Sequence, residues 1–157
     1  MGIIEGRPAP TFDLDDQNGD KVSSKDLKGS RVLLYFYPRD DTPGCTKEAC
    51  GFRDLQEKIS AHGVRIFGIS PDNPGKHLKF IDKYDLNFTL LCDPEKNVMR
   101  KFEAFGEKMM YGKKIQGVIR STVLMDADGK ISKHWRRVQK AAEHPKKVLE
   151  FLDKLNT

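Results

Sequence analysis

The stretch that decides the fold reads Arg31-Val32-Leu33-Leu34-Tyr35-Phe36-Tyr37-Pro38-Arg39-Asp40-Asp41-Thr42-Pro43-Gly44-Cys45-Thr46-Lys47-Glu48-Ala49-Cys50. Its first seven residues are almost continuously apolar, as a strand covered on both faces must be, and Pro38 ends that strand by removing a ladder donor. From about Thr46 to Ala61 the apolar residues Ala49, Phe52, Leu55 and Ile59 recur at helical spacing, and His62-Gly63 supplies the stop. The reading is a central strand, a short irregular turn, then a helix.

Working outward, Phe12 to Ser23 alternates apolar and polar residues around Asn18-Gly19, a hairpin signal. Downstream, Val64 to Ser70 reads as a strand, and Asn73-Pro74 supplies a cap and first-turn proline for a helix with Leu78, Ile81 and Tyr84 on one face. A shorter strand near Phe88 to Leu91 and a helix around Asn97 to Glu103 follow. A glycine-bearing loop from Gly106 to Gly117 comes next, in which Met109, Met110 and Tyr111 are expected to pack. Ser121 to Asp126 and Lys130 to Trp135 flank Ala127-Asp128-Gly129 as a hairpin, and a last helix places Val148, Leu149, Leu152 and Leu155 on its core face. This order implies an α/β fold, a mixed central sheet flanked by helices. It matches a thioredoxin-like fold with an N-terminal β-hairpin extension. With no repeat and no linker, residues 1–157 read as a single domain.

Hydrophobic residues at 38% and charged residues at 32% describe a water-soluble globule. The longest apolar run, Val32 to Tyr37, falls far short of the ~20 residues of a membrane-spanning helix. The N-terminus lacks the basic and apolar segments of a secretory signal, so a cytoplasmic setting is expected. Three cysteines, an odd number, argue against a disulfide framework and for thiols kept reduced at rest. A net charge of +5 with no block of five like charges reads as a solvated surface, leaving nucleic-acid binding as an outside alternative. His62, His77, His134 and His144 lack metal-ligand spacing, and each is expected to be a surface or a satisfied residue instead of a ligand. Asp40, Asp41, Cys45 and Glu48 mix hard and soft ligands in a way that suits no common metal site.

Chemistry gathers between the end of the buried strand and the first turn of the helix, where ligands of open α/β sheets usually sit. A helix N-terminus offers unpaired N–H groups and a positive dipole end, which push a thiol placed there towards thiolate. Cys45 is therefore a candidate nucleophile, held near open backbone donors; the alternative is a small buried hydrophobe. Asp40 and Asp41 would oppose the thiolate, so a cation is needed, from Arg39, Lys47, Arg53 or an arginine far along the chain. Sequence alone does not rank these.

Cys50 follows five residues after Cys45. In an intact helix that spacing sets the Cα atoms about 8.6 Å apart and about 140° round the axis. Disulfides need roughly 7 Å or less, so the two cannot join while the turns stay wound. Either Cys50 is an inert thiol, or the pair is a redox switch with a conformational step.

Pro38, Thr42 and Cys45 fit the Pro-x-x-x-Thr-x-x-Cys pattern of peroxiredoxins. With Cys50, the Arg120-Ser121-Thr122 segment and Trp135-Arg136, the chain resembles the bacterioferritin comigratory protein (peroxiredoxin Q) subfamily. The resemblance implies a thiol peroxidase acting on hydrogen peroxide and alkyl hydroperoxides, with Cys45 as the peroxidatic residue. It implies that Thr42 and Arg120 hold the peroxide oxygens, that Pro38 shields the site and that Glu48 orients Arg120. Cys50 would resolve the sulfenic acid as an intramolecular disulfide, and thioredoxin or a similar dithiol would recycle it. No metal or organic cofactor is required, and a monomer or weak dimer is expected. A thiol–disulfide reductase acting on proteins is the rival within redox chemistry; the absent Cys-x-x-Cys counts against it.

Overall fold

Alternation along a strand sends successive side chains to opposite faces of its sheet, and the continuous apolar run of residues 32–37 has a core on each side to fill. The structure, a computed structural model that describes residues 2–155, accounts for that run. In chain order, β1 (Asp13–Asp16) and β2 (Lys21–Ser23) form a hairpin, and β3 (Arg31–Phe36) leads through residues 37–42 into α1 (Pro43–Ser60). Next, β4 (Val64–Ser70) leads into α2 (Pro74–Tyr84), and β5 (Thr89–Cys92) into the short α3 (Asn97–Lys101). Two further hairpins, β6 (Phe105–Met110) with β7 (Lys113–Val118) and β8 (Ser121–Met125) with β9 (Ile131–Trp135), precede α4 (His144–Leu155).

Seven strands share one sheet in the order β2-β1-β5-β4-β3-β8-β9, while β6 and β7 pair apart. Strand β3 lies inside the sheet next to the middle strand β4, parallel to β4 and antiparallel to β8. Its Leu33 and Tyr35, with Tyr37 just beyond, join Ala49, Phe52, Val148 and Leu152 in the core beneath α1 and α4. Val32, Leu34 and Phe36 meet Phe12, Met99 and Phe102 in the core on the other face. Both faces are thus covered, as parallel neighbours require.

Four local expectations change. The glycine-bearing loop is the β6–β7 hairpin, closed by Tyr111 and Gly112, both at positive φ (53° and 78°), a two-residue turn whose twist suits paired strands. Met109, Met110 and Tyr111 stand exposed at its tip instead of packing. On α2 the buried stripe is His77 and Phe80, with Ile81 and Tyr84 partly covered, whereas Leu78 faces outward. Leu155, in the last turn of α4, is exposed likewise. Among the described residues, no helix is long and apolar enough to cross a membrane.

Candidate active site

Helix α1 starts at Pro43, three residues before the expected Thr46, with Thr42 as its N-cap and proline preorganised at the first position. Cys45 therefore lies in the first turn, where backbone N–H groups lack intrahelical partners. The thiol is not open to solvent as its position had implied: the residue is 1% exposed and belongs to the core beneath α1. Arg120 lies against this turn, since a Cβ on Gly44 would stand 3.1 Å from its Nη2, so the same turn that offers donors is also closed to water at Cys45.

Of the four cation candidates, the distant arginine is the one that reaches the sulfur. Arg120, between β7 and β8, donates from Nη2 to Cys45 Sγ at 3.3 Å and from Nη1 to Glu48 Oε1 at 2.6 Å. Glu48 has no exposed surface, and its Oε2 has no partner among the described residues. Burial pushes its carboxyl up to about 7, against the pull of Arg120. Arg53 is spent elsewhere, on Asp54 and the Tyr84 carbonyl. Thr42 donates its hydroxyl to the Arg39 carbonyl at 3.0 Å, which leaves the oxygen free to accept. Pro38 is half-buried on the same loop.

The carboxylates that seemed to oppose a thiolate are turned away. Asp40 is buried against Tyr37 and His77, while Asp41 accepts from Lys83 Nζ (2.8 Å) and the Tyr84 hydroxyl (2.7 Å), which hold its carboxyl below the usual range. Cys50 sits half-buried in the wound part of α1, and all three cysteines are free thiols. Next to it, Gly51 packs against Pro145 so closely that a Cβ would stand 2.8 Å from the proline ring, which ties α1 to α4 from that residue onward. Cys92 is buried at the end of β5, its thiol pushed up to about 12 by burial and by Asp15 and Asp40.

Arg120 and Gly44 line an open cleft of about 570 Å³ with Lys47 and residues 139–143, which gives the site its outer face. Lys108, from the stretch read as loop, crosses Gly117 to donate to the Val118 carbonyl at 2.7 Å, two residues before Arg120. Sequence reasoning missed it, and also missed His77 and Asp72. The spacing of His77 with Phe80 and Tyr84, at i, i+3 and i+7, is the signal that would have placed this histidine inside. His62 pairs with Asp153, and His144 meets the Thr122 hydroxyl. His134, contrary to expectation, is buried with both ring nitrogens unpartnered among the described residues.

The profile of the AhpC/TSA family matches residues 5–134, a span that includes Cys45, Glu48 and Arg120. The chain belongs to that family. It is 42% identical over 152 residues to the peroxiredoxin Bcp of Bacillus subtilis, covering 97% of this chain and 96% of that one. Against the Escherichia coli peroxiredoxin Bcp it is 46% identical over 147 residues, 94% of each chain. The solved structure of the Xanthomonas campestris bacterioferritin comigratory protein matches with a TM-score of 0.89 at 32% identity, over 98% of this chain and 100% of that one. The fold is thus the thioredoxin-like one of peroxiredoxins, as the order of elements implied. In this peroxiredoxin the Arg120–Cys45 and Arg120–Glu48 contacts form one chain of hydrogen bonds at the N-terminus of α1.

Proposed function

We propose that this peroxiredoxin reduces hydrogen peroxide and alkyl hydroperoxides with Cys45 as nucleophile. The observation that carries the reading is the guanidinium of Arg120, held by buried Glu48 and donating to Sγ at 3.3 Å. Arginine carries a permanent charge and a fork of donors, so the same group that faces the sulfur can hold the peroxide oxygens beside Thr42. The Cys45 thiolate attacks one peroxide oxygen, the O–O bond breaks, and the other oxygen leaves with a proton as water or alcohol. Cys45 is then a sulfenic acid. Pro38 and Arg120 limit the approach to small oxidants entering from the cleft.

Attack by the Cys50 thiol on that sulfenic acid forms the disulfide and releases water. The first turns of α1 must unwind for this, and the tight Gly51–Pro145 contact supports a boundary at Gly51. A dithiol such as thioredoxin restores both thiols by exchange and is itself oxidised to a disulfide. The shared sheet and its two cores support one domain over residues 1–157. Dependence on a reducing partner and the odd cysteine number support a reducing, cytoplasmic compartment.

Cys45→Ser is expected to abolish thioredoxin-dependent peroxide consumption. Cys50→Ser is expected to accumulate sulfenic acid on Cys45, seen by mass spectrometry after dimedone trapping, and to turn over poorly. Full consumption by Cys45→Ser would end the assignment.

A further inference from the structure

Asp40 lies in the loop between β3 and α1, five residues before Cys45, with both carboxylate oxygens engaged. The Tyr37 hydroxyl donates to Oδ1 at 2.5 Å, and Oδ2 lies 2.6 Å from His77 Nδ1. His77, wholly buried on α2, points its Nε2 at the Leu91 carbonyl oxygen at 2.9 Å. A carbonyl oxygen only accepts, so Nε2 carries a hydrogen. The 2.6 Å contact on the other side of the ring then needs a second proton, on the imidazole or on the carboxyl. Without it two lone pairs would face each other in a site closed to water. Either way, the pair shares one proton.

Among the described residues, the hydrogen-bond partners around the pair carry no positive charge. Asp72, beyond β4, accepts from the Asp40 backbone N–H at 2.8 Å and from the Ser70 hydroxyl at 2.7 Å. Tyr35 from β3, Tyr37 just after it and Cys92 from β5 are all kept neutral chiefly by burial. Among the described residues, no recorded hydrogen bond or ion pair of Asp40, Asp72 or His77 involves lysine or arginine. The neighbouring Asp41 holds a left-handed φ of 58° and is strapped to Lys83 and Tyr84 farther down the same helix. Two consecutive loop residues thus fasten the approach to α1 onto α2, one inside and one outside.

We propose that the proton-sharing Asp40–His77 pair is a positioning element for the peroxide step, holding residues 37–42 so that Thr42 and the first turn of α1 keep Cys45 beneath Arg120. It rests on the reading of Cys45 as nucleophile. Neither residue touches the sulfur; both act through the loop.

The test compares His77→Ala, Asp40→Ala and Asp40→Asn in single turnovers with hydrogen peroxide, measuring Cys45 oxidation and the later Cys45–Cys50 bond formation separately. An asparagine side chain donates to a neutral Nδ1 and still accepts from Tyr37, so it keeps every bond without the shared proton. Both alanine variants are expected to slow Cys45 oxidation by roughly tenfold to a hundredfold, the scale of a misplacement of about 1 Å, without slowing disulfide formation. Asp40→Asn is expected to restore oxidation to near the parent rate. Proton NMR of the reduced parent should show one strongly downfield resonance from the Asp40–His77 bond, absent from His77→Ala. The idea is overturned by unchanged oxidation in the alanine variants, by Asp40→Asn being as slow as Asp40→Ala, by equal slowing of both steps, or by a missing resonance in the parent. If an alanine variant fails to fold, Asp40→Asn and the resonance decide. Peroxide consumption by Cys45→Ser would refute the nucleophile and this role with it, an outcome told apart from failure of the pair itself because the resonance would remain.

Discussion

Replacing Glu48 by glutamine keeps the side chain's shape, removes one buried charge and makes its energetic role measurable. In the native protein burial holds this carboxyl up to about 7, against an ordinary value of 4.5, even though Arg120 lies 2.6 Å away. A raised value means that the folded state binds the proton more tightly than the unfolded chain. The resulting stability is fully present below pH ~4.5 and is lost as pH rises through about 7. At 1.36 kcal/mol per pH unit, the loss between pH 5 and pH 8 is about 2.5 kcal/mol. Glu48→Gln cannot titrate. Its stability relative to the parent should therefore rise by about 2.5 kcal/mol over that window, above a roughly constant loss of about 1 kcal/mol for weakening a charge-assisted hydrogen bond. Urea unfolding of both proteins under reducing conditions, at steps from pH 5 to pH 8, measures the difference directly. Parallel curves would mean that Arg120 keeps the carboxylate ionised throughout and that burial does not win.

Two further outcomes follow from single side chains. The Tyr35 hydroxyl is buried with no partner among the described residues, so Tyr35→Phe should stabilise the protein by about 1 kcal/mol; a clear loss in chemical denaturation would contradict this. Arg120→Met removes the donor to Cys45 Sγ while keeping bulk, and should slow oxidation of Cys45 about 10²- to 10³-fold in stopped-flow measurements. A rate near the parent's would place transition-state stabilisation elsewhere.

Periodicity and punctuation made much of this molecule legible in advance. The apolar run of β3, the hairpin around Asn18-Gly19 and the proline-capped α2 each follow from local rules that need no partner. The thiol at the first turn of α1 was legible too, because its neighbours Pro38, Thr42 and Pro43 form a strand-to-helix turn that short-range sterics dictate. Where reading failed, the deciding partner was distant. On α2 the expected Ile81 and Tyr84 do pack against the core and Leu78 alone does not, since Leu78 and His77 both suit a helical stripe and only the sheet beneath selects His77. The β6–β7 hairpin reads as a loop in sequence because its strands are half-exposed and lack the apolar alternation that burial imposes.

By itself, then, the chain's order of residues determined which segments wind, which extend and where a reactive sulfur would stand, because those depend on neighbours within a few positions. Tertiary structure alone decided that Arg120, 75 residues away, reaches that sulfur, that Glu48 is closed off from water and that His77 meets Asp40 in the interior. The physical reason is range. Backbone preference acts along the chain, whereas desolvation and charge act through space, and only the packed sheet brings the ends of its strands to one place.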